Sequence, residues 1–296
     1  MSKIITKQNL AKKLKNKLNT NFNIYLKRED LHPLLSHKGR SLPLMIAKHH
    51  AGGWNNFCIS SSGNAALASI LAIKEMNKVK NKDNQLKLQI FVGTNINLTK
   101  LKMIKNIIKG DNNLSIKQTK NPKAEAFILN KKKEAKFLRQ STDEYALEGY
   151  FELAKELSDI PNLKAIFIPT SSGTTAQGIY QGFKKLKLNP QIHIIQTEQC
   201  HALINNNQSS TEKSLANAIV DKIGHRKKDT QAILKQSNGR AWIANNNDIL
   251  EATKLVNKTE NINISYNSAL AIVGLIKFIK ENNSTSGSVV CLITGN

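Results

Sequence analysis

Short, almost continuously apolar runs alternate along this chain with segments whose apolar residues recur at helical spacing. The runs predict buried strands at Ile24–Leu26, Asn56–Ser60, Leu86–Val92, Leu163–Pro169, Ile192–Thr197 and Val289–Thr294. The periodic segments predict helices at Ala65–Met76, Leu98–Ile108, Ala124–Leu138, Tyr145–Leu157, Thr175–Leu186, Asp248–Asn257 and Ala269–Glu281. Apolar strands separated by helices are typical of parallel sheets covered on both faces. We therefore predict an α/β fold, with a surface loop at Asn205–Thr211.

The chain has 296 residues, of which 40% are apolar, so it can bury a sizeable core. Its mean hydropathy of -0.37 and the lack of an apolar run near the ~18 residues of a membrane span favour a soluble protein. Cys58, Cys200 and Cys291 are odd in number and far apart. This spacing predicts neither a disulfide framework nor a metal site, and we expect a reducing, cytoplasmic location.

The formal net charge of +23 has two explanations. Nucleic-acid binding is the functional one. The other is codon bias, because the chain is rich in Lys, Asn and Ile. The lysines are scattered, with a single run of three at Lys131–Lys133, and aromatic residues make up 5%. We favour codon bias and do not expect a nucleic-acid partner, although such binding stays the alternative from another functional class.

Two small-residue loops each follow a predicted strand and precede a helix. Ser60–Asn64 (SSSGN) places N–H groups at a helix N-terminus, where anions bind, but the same pattern is equally typical of an ordinary helix cap. Pro169–Thr175 (PTSSGTT) is neither a Walker A loop nor a G-x-G-x-x-G loop. Its hydroxyls and Gly173 favour a phosphate-binding loop over a plain turn. Ligands of parallel sheets bind at such strand ends.

Lys38 lies in a third segment, SHKGR. Nothing in the residues alone distinguishes Lys38 from the other lysines. The three segments together, in this order, resemble the fold-type II enzymes that depend on pyridoxal phosphate (PLP). The similar stretches are YLKREDLHPLLSHKGR, ISSSGNAALASILAIK, IPTSSGTTAQGIYQGFKKL, SALAIVGLIK and VVCLITGN. This resemblance to threonine synthase, threonine ammonia-lyase, cysteine synthase and the tryptophan synthase β subunit extends from residue 24 to residue 296.

The resemblance implies a role for each matching residue. Lys38 would carry PLP as a Schiff base and later act as the base at the substrate Cα. Asn64 would bind the 3′-oxygen of the ring, and Thr294 would face the pyridine nitrogen. The substrate carboxylate would be bound by Ser61, Ser62, Gly63 and Ala65. The cofactor phosphate would be bound by Ser171, Ser172, Gly173, Thr174 and Thr175.

A neutral hydroxyl beside the pyridine nitrogen implies a weaker electron sink than a carboxylate would. The resemblance therefore implies β- or γ-elimination or replacement on an amino acid. Two departures are His37, where threonine synthases and ammonia-lyases usually have Phe, and a phosphate loop that is richer in Ser and Thr than the glycine runs common in relatives.

The implied fold is tryptophan synthase β-like, with two doubly wound α/β domains and a PLP cleft between them. We expect a smaller domain at 39–142 and a larger domain formed by 1–38 and 143–296. We expect the protein to be a threonine synthase-like lyase that converts O-phosphohomoserine to threonine. Threonine or serine ammonia-lyase and cysteine synthase activities are the alternatives. We expect an amino-acid substrate, a homodimer by family analogy, and no membrane partner.

Overall fold

A computed structural model describes residues 4–204, 210–282 and 286–295, and the chain divides into two compact units. The larger unit contains Met1–His32 and Tyr150–Asn296, and the smaller contains Pro33–Gly149. The boundaries lie at 33 and 149, whereas we expected 39 and 142. Lys38, which we had placed in the larger domain, therefore lies in the smaller unit. Residues 205–209 of the predicted surface loop lie outside the described residues.

The structure contains ten strands and eleven helices in its described residues, besides two 3₁₀ turns at Glu29–Leu31 and Lys82–Asn84. In chain order they are β1 (Gln8–Leu10), α1 (Lys12–Lys17), β2 (Phe22–Arg28), α2 (Lys38–Ala51), β3 (Asn56–Ser60), α3 (Asn64–Asn77), β4 (Lys87–Gly93), α4 (Leu98–Ile108), β5 (Leu114–Thr119), α5 (Pro122–Lys131), β6 (Lys136–Phe137), α6 (Tyr145–Glu148), α7 (Phe151–Ser158), β7 (Leu163–Pro169), α8 (Thr174–Lys185), β8 (Gln191–Thr197), α9 (Lys227–Gln236), β9 (Ala241–Ala244), α10 (Asn246–Glu260), α11 (Tyr266–Glu281) and β10 (Gly287–Ile293). None of these helices is long and apolar enough to cross a bilayer.

The larger unit is built on a six-stranded sheet in the order β1-β2-β10-β7-β8-β9. All neighbours are parallel except the edge pair β1 and β2. Side chains of α1, α10 and α11 cover one face, and those of α7, α8 and α9 cover the other. Helices on both faces of a parallel sheet make a doubly wound unit, as the apolar strands predicted.

The smaller unit is built on a parallel sheet in the order β5-β4-β3-β6. Apolar residues of α2, α3 and α4 form one core on this sheet. On the other face, Ala126 of α5 packs with Cys58, Phe91 and Phe137 of the strands. Helices again cover both faces, which confirms the predicted class of two doubly wound α/β parts.

Two predicted helices were wrong in extent. The helix predicted at Ala124–Leu138 ends at Lys131, since Lys133 is left-handed (φ 59°) and Lys136–Phe137 pairs with β3. The helix predicted at Tyr145–Leu157 is divided into α6 and α7 around Gly149. A Cβ at Gly149 would overlap the backbone of Arg40, so this close packing accounts for the glycine.

His193 on β8 is almost fully buried and stacks on Phe167 with ring centroids 4.8 Å apart. Its Nδ1 accepts the backbone N–H of Arg240 at 3.2 Å and the indole N–H of Trp242 at 3.3 Å. The ring proton therefore lies on Nε2, which donates to Gln191 Oε1 at 3.1 Å. Burial, followed by the Arg240 charge, lowers the pKa of His193 to about 3.

This buried histidine predicts a loss of stability in mild acid. Below the pKa of about 6.5 that this histidine has in the unfolded chain, the unfolded state binds a proton. The folded state binds that proton only when the pH falls to about 3. The unfolding free energy should fall across this window, by up to ~1.4 kcal/mol per pH unit from this one group. Urea unfolding of wild type and His193→Gln checks it. The variant, normalised to its stability at pH 7, should show a shallower decline, and identical slopes would contradict the assignment.

The three cysteines predict slow thiol chemistry in the native state. Cys58, Cys200 and Cys291 are all free and buried. Burial raises the pKa of Cys58 to about 12 and also raises the pKa of Cys200 and Cys291. A thiol reagent such as DTNB should label native protein far more slowly than unfolded protein, because thiolate is the reactive form. Equal labelling rates in both states would contradict this.

Candidate active site

Lys38 is the first residue of α2 in the smaller unit. A tight turn precedes it, in which Ser36 Oγ accepts the Lys38 N–H at 3.3 Å and Ser36 O accepts the Gly39 N–H at 2.9 Å. Ser36 and His37 are buried, and Lys38 is half-buried. Lys38 is thus not fully exposed, unlike most lysines of the chain, yet it is not enclosed in the core. Such a position suits an amine that attaches covalently to a small molecule.

The loop after β3 leads directly into α3. Ser61 Oγ accepts the Gly63 N–H at 3.3 Å, and Gly63 O accepts the first helical hydrogen bond, from Leu67 N–H, at 3.2 Å. The N–H groups of Asn64, Ala65 and the next residue therefore precede the helical ladder. A Cβ built on Gly63 would meet no described atom within 4 Å. The loop thus combines N–H donors at a helix N-terminus with open space, which suits a carboxylate.

Gln140 was not singled out from the sequence. It follows β6, where Phe137 pairs with Cys58 of β3, so it lies near the end of β3 and the loop that follows. Its Nε2 donates to Ser41 Oγ on α2 at 2.9 Å, and both residues are buried. Gln140 thereby connects this edge of the sheet to the first turns of the helix that begins with Lys38. No local sequence signal marks it.

The loop after β7 in the larger unit is fixed by hydrogen bonds on both sides. Thr170 N–H donates to Ile195 O at 2.9 Å, and its hydroxyl donates to Ile168 O at 2.7 Å. The buried amide of Gln196 donates to Thr170 O at 3.2 Å and to Ser171 O at 3.3 Å. The beginning of the loop is thus held to the neighbouring strand β8.

Gly173 ends this loop in the left-handed region (φ 89°) and caps α8. Its carbonyl accepts the first helical bond, from Gln177 N–H, at 2.9 Å, so residues 174–176 present their N–H groups before the ladder begins. The hydroxyls of Ser172 and Thr174 lie 2.9 Å apart, and Thr174 and Thr175 are buried. N–H groups and hydroxyls at the N-terminus of a twelve-residue helix suit a phosphate.

Ser171, at the start of the same loop, has its hydroxyl engaged inside the protein. The hydroxyl donates to Asp221 Oδ2 at 3.0 Å and accepts the N–H groups of Val220 at 3.1 Å and Asp221 at 3.2 Å. Asp221 was also missed in the sequence, because fifty residues separate it from Ser171 and only the fold brings them together.

Thr294 directly follows β10 and is buried. Its N–H donates to Ser268 Oγ at 3.0 Å, and the two hydroxyl oxygens are 3.3 Å apart. Cys291 of β10 pairs with Phe167 of β7, so three residues later Thr294 is level with Thr170 at the beginning of the loop after β7. The larger unit thus places Thr294 and Ser171–Thr175 at the same edge of one sheet.

The residues present fit PLP. Gly173 and the first turn of α8 offer donors for its phosphate, and Thr294 offers a neutral hydroxyl at the same sheet edge. In the smaller unit Lys38 and the Ser61–Ala65 loop begin two helices, α2 and α3, that share one core. An amino-acid enzyme that uses PLP requires an amine for the cofactor and donors for a carboxylate, and these two segments offer groups of both kinds.

A family model described as pyridoxal-phosphate dependent enzyme matches residues 2–295. The threonine synthase of Bacillus sp. (strain ULM1) is 26% identical over 293 residues, which cover 92% of this chain and 77% of that protein. The threonine synthase of Mycobacterium tuberculosis (strain ATCC 25618 / H37Rv) is 27% identical over 317 residues, covering 99% and 80%.

Solved structures share the fold at lower sequence identity. The processed threonine deaminase isoform 2 of Solanum lycopersicum has a TM-score of 0.81 at 20% identity, covering 99% of this chain and 79% of that one. A PLP-dependent aspartate racemase has a TM-score of 0.80 at 19% identity, covering 99% and 90%. The serine racemase of Dictyostelium discoideum has a TM-score of 0.78 at 19% identity, covering 98% and 92%.

These likenesses confirm the tryptophan synthase β-like fold and the resemblance first seen in SHKGR, SSSGN and SSGTT. They also confirm PLP as the cofactor, because the matching family is defined by its dependence on it. With nearly its whole length matched, the chain belongs to the family of pyridoxal-phosphate-dependent enzymes.

Proposed function

We propose that this enzyme is a threonine synthase-type lyase that converts O-phosphohomoserine and water to threonine and phosphate. The observation that carries the proposal is the likeness to relatives named threonine synthase, which are 24–27% identical to this chain over 92–99% of its length. Two loops suited to anions, one after β3 and one after β7, support it, because substrate and cofactor each bring an anionic group.

The cofactor site of this proposal uses residues of known position. Lys38 holds PLP covalently, and Asn64 binds its 3′-oxygen. Backbone N–H groups of Ser171–Thr175 hold the phosphate, together with the hydroxyls of Ser172, Thr174 and Thr175. Ser171 contributes through its backbone, since its hydroxyl already bonds Asp221 and Val220. Thr294 places its hydroxyl beside the pyridine nitrogen.

Bound PLP supplies an electron-withdrawing ring that makes the Cα hydrogen of an amino acid more acidic. The chain's own groups then bind, orient and move protons. Ser61, Ser62, Gly63 and Ala65 orient the substrate by its carboxylate at the N-terminus of α3. Lys38 takes the proton from the substrate Cα when its amine is not attached to the cofactor. Because the Thr294 hydroxyl carries no charge, it would donate one hydrogen bond to the pyridine nitrogen without transferring a proton to it.

Ammonia-lyase activity on threonine or serine is the second candidate. The fold is shared with a threonine deaminase and with a fungal L-serine ammonia-lyase of Rhizomucor miehei, at TM-scores of 0.81 and 0.77. Cysteine synthase-like replacement is a third candidate on the same scaffold. The synthase is favoured by the curated relatives. The net charge of +23 also helps to attract a doubly anionic phosphate ester.

We further propose a cytoplasmic homodimer. The dimer rests on analogy with the family, and size-exclusion chromatography with light scattering measures it directly. A cytoplasmic location is supported by three buried thiols, which a reducing compartment keeps free.

The proposed attachment of the cofactor predicts that Lys38→Ala no longer forms a Schiff base. Wild-type protein should be yellow. Borohydride reduction should fix the cofactor to the protein, and peptide mapping should then find the reduced cofactor on Lys38. Lys48→Ala is the matched control, because Lys48 lies on the same helix and its side chain is 45% exposed. A colourless wild type that takes up no PLP but binds DNA with a steep salt dependence would overturn the enzyme proposal in favour of nucleic-acid binding.

The proposed substrate predicts threonine and inorganic phosphate from O-phosphohomoserine. Holoenzyme is incubated separately with O-phosphohomoserine, threonine, serine and O-acetylserine, and the products are separated by chromatography. Equal amounts of threonine and phosphate from the first substrate support the synthase. Release of ammonia and a 2-oxo acid from threonine or serine, without turnover of O-phosphohomoserine, would replace it with the ammonia-lyase. The Lys38→Ala variant should turn over none of the four substrates.

A further inference from the structure

Residues 216–230 contact the loop proposed to hold the cofactor phosphate at two places and the helix that follows it, α8, at a third. Asp221 bonds Ser171 at the start of the loop. Thr230 lies against Gly173 at its end. Arg226 Nη1 donates to Oε1 of Gln177 on α8 at 2.9 Å, and both side chains are buried. The shape of the loop therefore depends on a segment that follows it by about fifty residues.

The contact with Asp221 uses the whole hydrogen-bonding capacity of the Ser171 hydroxyl. One O–H donates to the carboxylate, and the two lone pairs accept two backbone N–H groups from the same segment. The backbone of Asp221 is held as well, because the Cys200 thiol donates to the Asp221 backbone carbonyl at 3.2 Å.

The contact at the other end of the loop is steric. A Cβ on Gly173 would lie 2.5 Å from Thr230 Oγ1, far inside van der Waals contact. Thr230 is fully buried, and within the described residues its hydroxyl makes no hydrogen bond. Helix α9 therefore limits movement of Gly173 on one side, while Asp221 fixes Ser171 on the other. The N–H groups between these two points are pre-oriented before any ligand arrives.

We infer that Asp221 is a positioning residue for PLP: it acts through Ser171 to hold the phosphate loop in its binding conformation. The inference rests on the proposed phosphate loop. Without the carboxylate, the loop would sample other conformations. PLP binding would then have to order the loop, which lowers the affinity. The relevant property of Asp221 is its acceptor oxygen and not its charge, because a negative charge near a phosphate opposes binding.

The test is the dissociation constant of PLP for apoenzyme, measured by absorbance or fluorescence titration. Asp221→Ala should weaken binding about tenfold, roughly the cost of losing one hydrogen bond. Asp221→Asn keeps an acceptor oxygen and removes the charge, so it should bind PLP as tightly as wild type or more tightly. Asp229→Ala is the matched control, because Asp229 is an exposed carboxylate on the same segment and should leave the constant unchanged.

A double-mutant cycle with Ser171→Ala separates positioning from a general loss of structure. Asp221→Ala should have little further effect on PLP affinity once Ser171→Ala is present, since the two residues act through one bond. Thermal unfolding of each apoprotein verifies that the variants fold, and the ³¹P chemical shift of bound PLP reports the phosphate environment directly. If Asp221→Ala itself fails to fold, Asp221→Asn and Ser171→Ala still decide the question.

The outcomes fall into distinct groups. Weaker binding by Asp221→Ala and Ser171→Ala, with wild-type affinity in Asp221→Asn, supports the inference. Unchanged affinity in Asp221→Ala, or equal weakening in the Asn and Ala variants, overturns it while leaving the cofactor site intact. Failure of wild-type apoenzyme to bind PLP overturns the proposed function itself, and the inference with it.

Discussion

Strand β10 lies between β2 and β7 and joins the two halves of the larger sheet. Its residues Val289 to Ile293 are fully buried, and Cys291 pairs with Leu26 on one side and with Phe167 on the other. Without this strand, β1 and β2 would have no hydrogen-bonded connection to β7, β8 and β9. Burial of each large apolar side chain contributes about 1.5–3 kcal/mol, so the insertion is strongly favoured. The same pairing sets Thr294 level with Thr170.

Parallel pairing then determines where ligand chemistry can occur. Neighbouring parallel strands end at one edge, and β3 and β7 are each followed closely by a helix whose first N–H groups have no partner in the helix. In the larger unit this edge carries Thr294 and the Gly173 turn, and in the smaller unit it carries the Ser61–Ala65 loop. Small residues at these positions keep the N–H groups accessible. The positions of the proposed anion sites thus follow from sheet topology, and short polar sequences at those positions supply the donors.

Local sequence predicted the elements that carry their own periodic signal. The helix Leu98–Ile108 and the strands Asn56–Ser60 and Leu163–Pro169 have the predicted bounds. Elements with weak local signals were missed, among them α2 with its internal Pro43, the edge strand β5, and β9. The helix predicted through Leu138 failed because pairing of Lys136–Phe137 with β3 outweighed local helix propensity. Tertiary contacts of this kind cannot be seen in a window of neighbouring residues.

The sequence by itself determined the α/β class, the family, and the identity of the residues proposed for the site, because short motifs and apolar periodicity are local properties. Only the tertiary structure decided that Lys38 begins a helix of the smaller unit and that Gly173 is left-handed against Thr230. It also decided that the Ser171 hydroxyl donates to the Asp221 carboxylate. These facts depend on contacts between residues about fifty positions apart or on backbone geometry, and chain folding alone creates both.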